Sequence, residues 1–400
     1  MKTDVTLEEA VFILAGILHD PQRESVSLLE GLHRVLTEDL KSLVDHPSVD
    51  DSSLDGYAVR LEDTLQATPD LPVRLEVMGA VAAGSVPFVG RLEKDQAVKV
   101  FTGAPVPDGT TGIVMVENTA RDEDSVFVYR PATEDVRKRG QDLEVGKSYL
   151  QKGLILRGSQ IALAAAMGHS SLPVFKVPRI AILSTGDEIL EPGQPLAPGG
   201  AYNANSYGLA AMLREMGAEP VILPRVKDDL DSIRQSFEAA KDCDLLLTIG
   251  GVSMGDRDFV RMLLEREATM HYWKIRVKPG GPPVCATWQD LPVFGLPGNP
   301  VSSLVIFLLV VKPALYQRYG VLEPAYETVT ATALTPFKSA GAKTGMWRCT
   351  LEKLEDGFGA KAFGNQSSGV LRSMVQANAL AVVPPQTEVK TGERLEVIRL

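Results

Sequence analysis

Arg179-Ile180-Ala181-Ile182-Leu183-Ser184-Thr185-Gly186-Asp187-Glu188 opens on a short apolar run and closes on small, polar and acidic residues. A run of this kind, bounded by turn residues, reads as a buried strand over 180–183. The chain that follows alternates. A helix is expected over 206–216, closed by Gly217; then a strand at 221–223, a helix over 229–240 and a strand at 245–249. A helix begins at 259–264, and a strand at 293–296 feeds a helix at 301–315. Strands alternating with helices predict a parallel sheet with helices on both faces.

On the N-terminal side, Leu7, Val11, Leu14, Leu18 and then Leu28, Leu29, Leu32, Val35, Leu36 recur at helical spacing, with Pro21 between them, so two short helices are expected in 6–40. From residue 51 the character changes. Val73-Arg74-Leu75-Glu76-Val77 alternates, 97–101 and 113–116 are short apolar runs, and Gly and Pro separate them. This predicts a β-rich unit over 51–140, inserted into a domain built from 1–50 and 141–176, whose Ala-rich stretch 159–167 reads as a helix. After the α/β region, 177–324, only short strands appear, at 327–333, 347–351, 380–383 and 395–398, so 325–400 is expected to be a small β domain. The fold class is therefore α/β plus β, multidomain, as a chain of 400 residues requires.

Composition narrows the function. Hydrophobic residues make up 44% and charged residues 23%, as in a soluble globular protein. A net charge of −10 argues against non-specific nucleic-acid binding. Cys243, Cys285 and Cys349 are widely spaced and suggest neither a zinc site nor a disulfide framework, in keeping with a cytoplasmic protein. Residues 1–10 lack a basic region and do not read as a signal peptide. The apolar run 301–311 is shorter than the roughly 20 residues a bilayer span needs, and reads as a core helix.

Ligands of parallel α/β sheets sit beyond the C-terminal ends of the strands. Three such ends are rich in small and polar residues: Ser184-Thr185-Gly186-Asp187-Glu188; Gly250-Gly251-Val252-Ser253-Met254-Gly255-Asp256; and Pro297-Gly298-Asn299-Pro300. Glycines let backbone N–H groups approach an anion, and a helix start adds positive partial charge. In Trp273-Lys274-Ile275-Arg276-Val277-Lys278-Pro279-Gly280-Gly281, alternation puts Lys274, Arg276 and Lys278 on one face. By charge alone that is a solvated edge. Its position beside a Gly-rich turn tilts it toward a phosphate or oxyanion cradle. Asp50-Asp51-Ser52-Ser53-Leu54-Asp55-Gly56-Tyr57 reads as a turn, with a metal or base-edge site as the other reading. Arg137-Lys138-Arg139 reads as a surface charge cluster. The five histidines sit in no motif, so nucleophilic catalysis is not supported.

Taken in order, Asp51-x-Ser53-x-Asp55-Gly56-Tyr57-Ala58, Thr102-Gly103-Ala104-Pro105-Val106-Pro107, Arg137-x-x-Gly140-x-Asp142, Ser184-Thr185-Gly186-Asp187-Glu188, Gly250-Gly251-Val252-Ser253, the 274–280 stretch and Gly295-Leu296-Pro297-Gly298-Asn299-Pro300-Val301-Ser302 closely resemble the molybdopterin molybdenumtransferase family (MoeA, gephyrin E-domain) over nearly the whole chain. The resemblance implies a split N-terminal domain, an inserted β domain, a molybdopterin-binding α/β domain and a C-terminal β domain. It implies an elongated homodimer in which one subunit's inserted domain faces the other's α/β domain. The implied reaction inserts molybdate into adenylylated molybdopterin and releases AMP, commonly with Mg2+. Motif by motif, it implies catalytic acids at Asp55, Asp142, Glu188, Asp228, Asp256 and Asp258, with Asp142 and Glu188 toward the metal. It implies substrate contacts at Thr102, Ser184, Thr185, Gly186, Gly250, Gly251, Ser253, Lys274, Lys278, Pro297, Gly298, Asn299, Pro300, Arg348 and Ser368. A molybdopterin adenylyltransferase and molybdoenzymes are the implied further partners, and neither nucleic acid nor membrane is expected.

The sequence departs from the family pattern at Leu54 (usually Met), Gln141 (an acid), Asn203 (Asp), Gly281 (Lys) and Cys349 (Gly). These departures leave open a paralogue with altered metal preference, such as tungstate, or with reduced activity; two separate alternatives are a molybdopterin adenylyltransferase and a non-catalytic interaction scaffold. An adenylyltransferase would account only for 177–320. A scaffold would need a receptor-binding groove that nothing in the sequence marks.

Overall fold

The computed structural model describes residues 1–227, 229–251 and 258–400. Among these, the largest sheet has seven strands in the order Lys2–Val5, Thr269–Ile275, Val284–Trp288, Leu291–Leu296, Leu245–Ile249, Arg179–Ser184, Glu219–Ile222. The last four are mutually parallel. Val284–Trp288 runs antiparallel to both of its neighbours, so the sheet is mixed rather than wholly parallel. The cause is a two-residue hairpin at Gln289 and Asp290, with φ of 45° and 70°. Positive φ at both positions suits a right-twisted hairpin, but the usual Asn-Gly or Asp-Gly signal is missing.

The sheet is buried on both faces because successive side chains alternate. Ile180, Ile182, Leu245 and Leu247 pack with Leu209, Leu213, Phe294 and Val305 on one side. Ala181, Leu183 and Leu246 pack with Ile233, Phe237, Leu263 and Trp288 on the other. The flanking helices start where short polar side chains cap them. The Asp229 carboxylate accepts from the Ser232 N–H at 2.8 Å ahead of Leu230–Ala239, and Asn203 accepts from the Ser206 N–H at 3.3 Å ahead of Ala204–Glu215. Gly217 (φ +77°) ends the second of these against residue 33, where a Cβ would lie 2.6 Å from the His33 carbonyl oxygen.

The helical stretch after Asn299 runs as Pro300–Ile306, a π turn at Phe307–Val311, and Lys312–Arg318. Pro300–Arg318 is long and apolar enough to cross a membrane by length and composition, contrary to the shorter run expected from sequence. Val301 to Val311 are nearly all buried in the core beside the sheet.

Two expectations for the first 50 residues are corrected. Lys2–Val5 pairs parallel with Thr269–Ile275, and the helix Leu7–Ile17, opened by a Thr6/Glu9 capping box, buries Ala10 and Leu14 in the α/β core. Those residues therefore belong with the α/β sheet. No second helix spans 28–36. Arg23–Ser27 is a strand paired with Ser171–Phe175, followed by a single turn at Leu29–Gly31. The apolar residues there do not share one helical face, since Leu29 is 84% exposed while Leu36 is fully buried.

Residues on either side of the insertion share one core: Leu36 and Leu40 with Leu143, Leu150, Leu156, Met167 and Leu172. Between them lies a six-stranded sheet in the order Gly112–Met115, Gly56–Val59, Gln96–Val100, Val73–Val81, Ser125–Val128, Thr119–Asp122. The C-terminal sheet also has six strands and includes Val277–Lys278, which pairs with Thr344–Leu354. The stretch 274–278 is thus not one straight strand. Lys274 has φ 73°, the α/β strand ends at Ile275, and the chain crosses into the C-terminal sheet.

Candidate active site

Three strand ends come level at one edge of the α/β sheet, because Ser184 pairs with Ile249 and Ile249 with Leu296. Each loop beyond is tied to the next strand. The Thr185 N–H donates to Ile249 O at 3.2 Å, and the Gly250 N–H donates to Leu296 O at 3.0 Å. Gly250 and Gly251 take φ of 83° and 66°. A Cβ on Gly251 would lie 3.0 Å from a Val260 methyl, so both backbone angle and space call for glycine there. These loops, with Asn205, Asp258 and Phe259, enclose an open cleft of about 820 Å3 lined by Ser184, Thr185, Gly186, Asp187, Glu188, Gly250, Gly251, Gly298 and Asn299. A cavity of about 40 Å3 near His33, Phe175, Met216 and Tyr319 is a packing gap by comparison.

Nine of the residues singled out from sequence therefore meet in one place: Ser184, Thr185, Gly186, Glu188, Gly250, Gly251, Asp258, Gly298 and Asn299. Asp228, Ser253 and Asp256 lie outside the described residues. Asn205 was missed by sequence reasoning. Its side-chain N–H donates to Gly298 O at 2.8 Å and holds the third loop to the first turn of Ala204–Glu215. An Asn one position inside a helix start, facing a Gly-Asn turn, carries little signal by itself.

The helix start at Pro300 offers an anion less than expected. Pro300 has no N–H, and the Val301 N–H donates to Ser368 O of the C-terminal domain at 3.1 Å. Pro297 is buried beneath, its carbonyl accepting from the Ser303 hydroxyl. The loop that carries Ser368 is tied down by Arg348. This fully buried side chain donates from Nε to Ser373 Oγ at 3.0 Å and from Nη2 to Ser367 O at 3.0 Å and Asn365 O at 3.3 Å. Its Nη1 has no partner among the described residues. Burial pulls the guanidinium below its ordinary basicity.

The charged groups among the described lining residues are all acidic: Asp187, Glu188 and Asp258. The lysines expected as a cradle stand elsewhere. Lys274 lies 4.1 Å over the Trp273 ring and Lys278 5.9 Å over the Trp347 ring. Arg276, between them, lines a separate groove with Glu8, Tyr326 and Thr344. The turn after Lys278 does approach the cleft wall, since a Cβ on Gly281 would lie 3.0 Å from Pro297 Cγ.

In the inserted sheet, Asp55 Oδ1 accepts from the Thr102 N–H at 2.7 Å and its hydroxyl at 2.8 Å. These two bonds, the amide foremost, hold the Asp55 carboxyl below its usual range, so it stays ionised. Asp142 is exposed, with its N–H on His46 O at 2.9 Å. Neither acid lines the cleft of its own chain. Arg137 is not a loose surface cation: it pairs with Asp51 through two bonds of 2.8 Å. No set of three or more His, Cys, Asp or Glu side chains converges on a metal position among the described residues.

Comparison with known proteins agrees with this layout. Residues 5–168 match the family model for the MoeA N-terminal region (domain I and II), 181–317 a probable molybdopterin binding domain, and 330–400 the MoeA C-terminal region (domain IV). A molybdopterin molybdenumtransferase of Nostoc sp. is 35% identical over 391 residues, covering 94% of this chain and 88% of its own. One from Bacillus subtilis is 33% identical over 407 residues, covering 99% and 94%. A crystal structure of the molybdopterin biosynthesis MoeA protein from Pyrococcus horikoshii superposes with a TM-score of 0.84 at 29% identity, covering 99% of this chain and 100% of that one.

Proposed function

We infer the reaction from one premise: the chain belongs to the molybdopterin molybdenumtransferase (MoeA) family and is a transferase of molybdenum cofactor biosynthesis. On that premise it takes adenylylated molybdopterin and molybdate, places the metal on the dithiolene and releases AMP. The observation that carries this reading is the cleft, in which three glycine-bearing strand ends converge at the C-terminal edge of the parallel strands.

The chain's own groups have distinct parts in this reading. The Gly250–Gly251 turn brings backbone close to the substrate without a side chain in the way, and Asn205 holds the Gly298 loop in place. Lys278 leads into the turn that approaches Pro297 at the cleft wall, and in this reading its ammonium swings from the Trp347 ring to the oxyanion or phosphate, while the buried Arg348 orders the 365–367 carbonyls of the loop that carries Ser368. Glu188 and Asp142 are the hard oxygen donors for Mg2+ in this reading, an ion that takes one or two carboxylates alongside substrate phosphates. When bound, that ion neutralises charge on the phosphoanhydride. Asp142 and Asp55 reach this cleft from a second copy, so the working form is a homodimer, placed in the cytoplasm. The domain division is 18–50 with 141–176, 51–140, 177–324 joined by 1–17, and 325–400.

One observation favours a second reading of the metal. Gly281 stands beside Pro297 where the family pattern has a lysine, and the missing cation leaves tungstate as an alternative oxyanion. The test is incubation of the purified protein with adenylylated molybdopterin and either oxyanion, following AMP. Molybdate-dependent AMP release is expected, and Lys278→Ala should weaken substrate binding about ten- to hundredfold. Consumption of ATP and unadenylylated pterin instead would make it an adenylyltransferase. No turnover with either oxyanion would point to a scaffold.

A further inference from the structure

The two segments that join the inserted sheet to the split domain run as an antiparallel ribbon. The Gly146 N–H donates to Ser42 O, the His46 N–H to Leu143 O and the Gly140 N–H to Pro47 O, and Asp51 pairs with Arg137. Three ion pairs climb it. Arg137 grips Asp51 with two bonds of 2.8 Å, Lys138 Nζ reaches Asp50 at 2.8 Å, and Arg139 Nε reaches Asp45 at 2.7 Å. The rungs are knitted together, since the Arg139 N–H also donates to Asp50 at 2.9 Å and Asp45 also accepts from the Val145 N–H at 2.8 Å. At the upper end, Asp50 O accepts from the Val106 N–H of the inserted domain. Three consecutive cations are thus matched by three acids and are not free to hold an anion.

We propose that this ladder is a positioning device. It holds the ribbon in one conformation, and so sets the Asp55–Thr102 corner beyond one end relative to Asp142 at the other. Two strands alone make a marginal structure in water, and lone exposed ion pairs add little. A fork-to-carboxylate contact on a nearly buried Asp51, linked to two further pairs, gives the ribbon the order its backbone bonds do not. Its importance for turnover rests on the reaction proposed above. The ordering itself does not.

The experiment uses spin labels on Asp122→Cys, in the inserted sheet, and Ala162→Cys, in the split domain; the three native cysteines are buried. Pulsed dipolar spectroscopy on the full-length protein, with labelled chains diluted into an excess of unlabelled ones so that each dimer carries one labelled copy, should give one narrow distance distribution. The Arg137→Gln/Lys138→Gln/Arg139→Gln variant should broaden it at least about twofold, and Arg137→Lys, which keeps the charge but loses the fork, should fall between. If the triple variant melts early, Lys138→Gln/Arg139→Gln carries the test, because both side chains are about two-thirds exposed. In parallel, kcat for AMP release should fall about ten- to hundredfold with KM little changed, as misplacement of a catalytic group does. An unchanged width overturns the ladder even if AMP release is lost. A broadened width in a protein whose wild type releases no AMP keeps the ladder and removes the functional reading.

Discussion

The cleft and the ribbon both place polar groups at a set position, and they do so by opposite means. At the cleft, the placing is done from below. Thr185, Gly250 and Pro297 follow strands whose Ile182, Leu247 and Phe294 have no solvent exposure, and backbone hydrogen bonds fix the loops. In the ribbon, the placing is done from outside, by charged side chains in water. The first arrangement should tolerate salt and pH but not changes of volume. The second should tolerate volume but not salt or pH.

A cavity beneath the cleft should have the largest effect. Leu247→Ala should cost about 2–5 kcal/mol, the range for a buried leucine truncated to alanine. Denaturant melts should show a lower midpoint, and a loss no larger than that of Lys138→Gln would mean the cleft is not core-supported. Arg348→Leu comes next. It leaves Ser373 Oγ, Asn365 O and Ser367 O without their donor and should cost about 1–3 kcal/mol. It should also free the 365–368 loop, read as lost amide protection around Val301. If stability falls while that amide stays protected, Arg348 does not position Ser368.

Thr102→Val is gentler and sharpens the other side. Asp55 keeps the Thr102 amide but loses the hydroxyl, so its carboxyl midpoint should rise toward 3.8 and remain below it. Carbon-detected NMR titration reads this directly. A midpoint that does not move would show that the hydroxyl does not hold the carboxylate.

These contrasts also explain what was legible in the sequence. The strand expected at 245–249 is the strand observed, Leu245–Ile249, because a fully buried strand is a continuous apolar run. The cleft loops were legible through their glycines and acids. Arg23–Ser27 was not, since it reads Arg-Glu-Ser-Val-Ser, is largely exposed, and gains its place from Ser171–Phe175 far along the chain. Gly357–Ala362 was missed for want of β-branched residues. The Gln289-Asp290 hairpin lacks the usual glycine, and that alone hid the antiparallel strand. Arg137, Lys138 and Arg139 read as loose surface charge because their acids lie more than 85 positions away, a distance over which local pattern is silent.

The smallest expected effect is the acid and salt response of the ladder, and its sign follows from the carboxylates. Asp45 is held below its ordinary value of 3.8, first by the Val145 N–H and then by Arg139. For Asp50, partial burial pushes the carboxyl up, but Lys138 and the Arg139 N–H outweigh it and the net direction is down. A carboxylate depressed in the folded state contributes stability that is fully present above its unfolded value and is lost as pH falls through the folded one. The ribbon should therefore be ordered at neutral pH and loosen below about 3.8, as the two acids protonate. High salt should act in the same direction at neutral pH, because at 1 M charges are screened beyond about 3 Å. Hydrogen exchange of the Gly140 and Leu143 amides is the readout, since both donate across the ribbon. Their protection should fall with acid and salt, while the Gly250 amide at the cleft changes little. Equal loss at both places would mean that the two regions are not held by different forces.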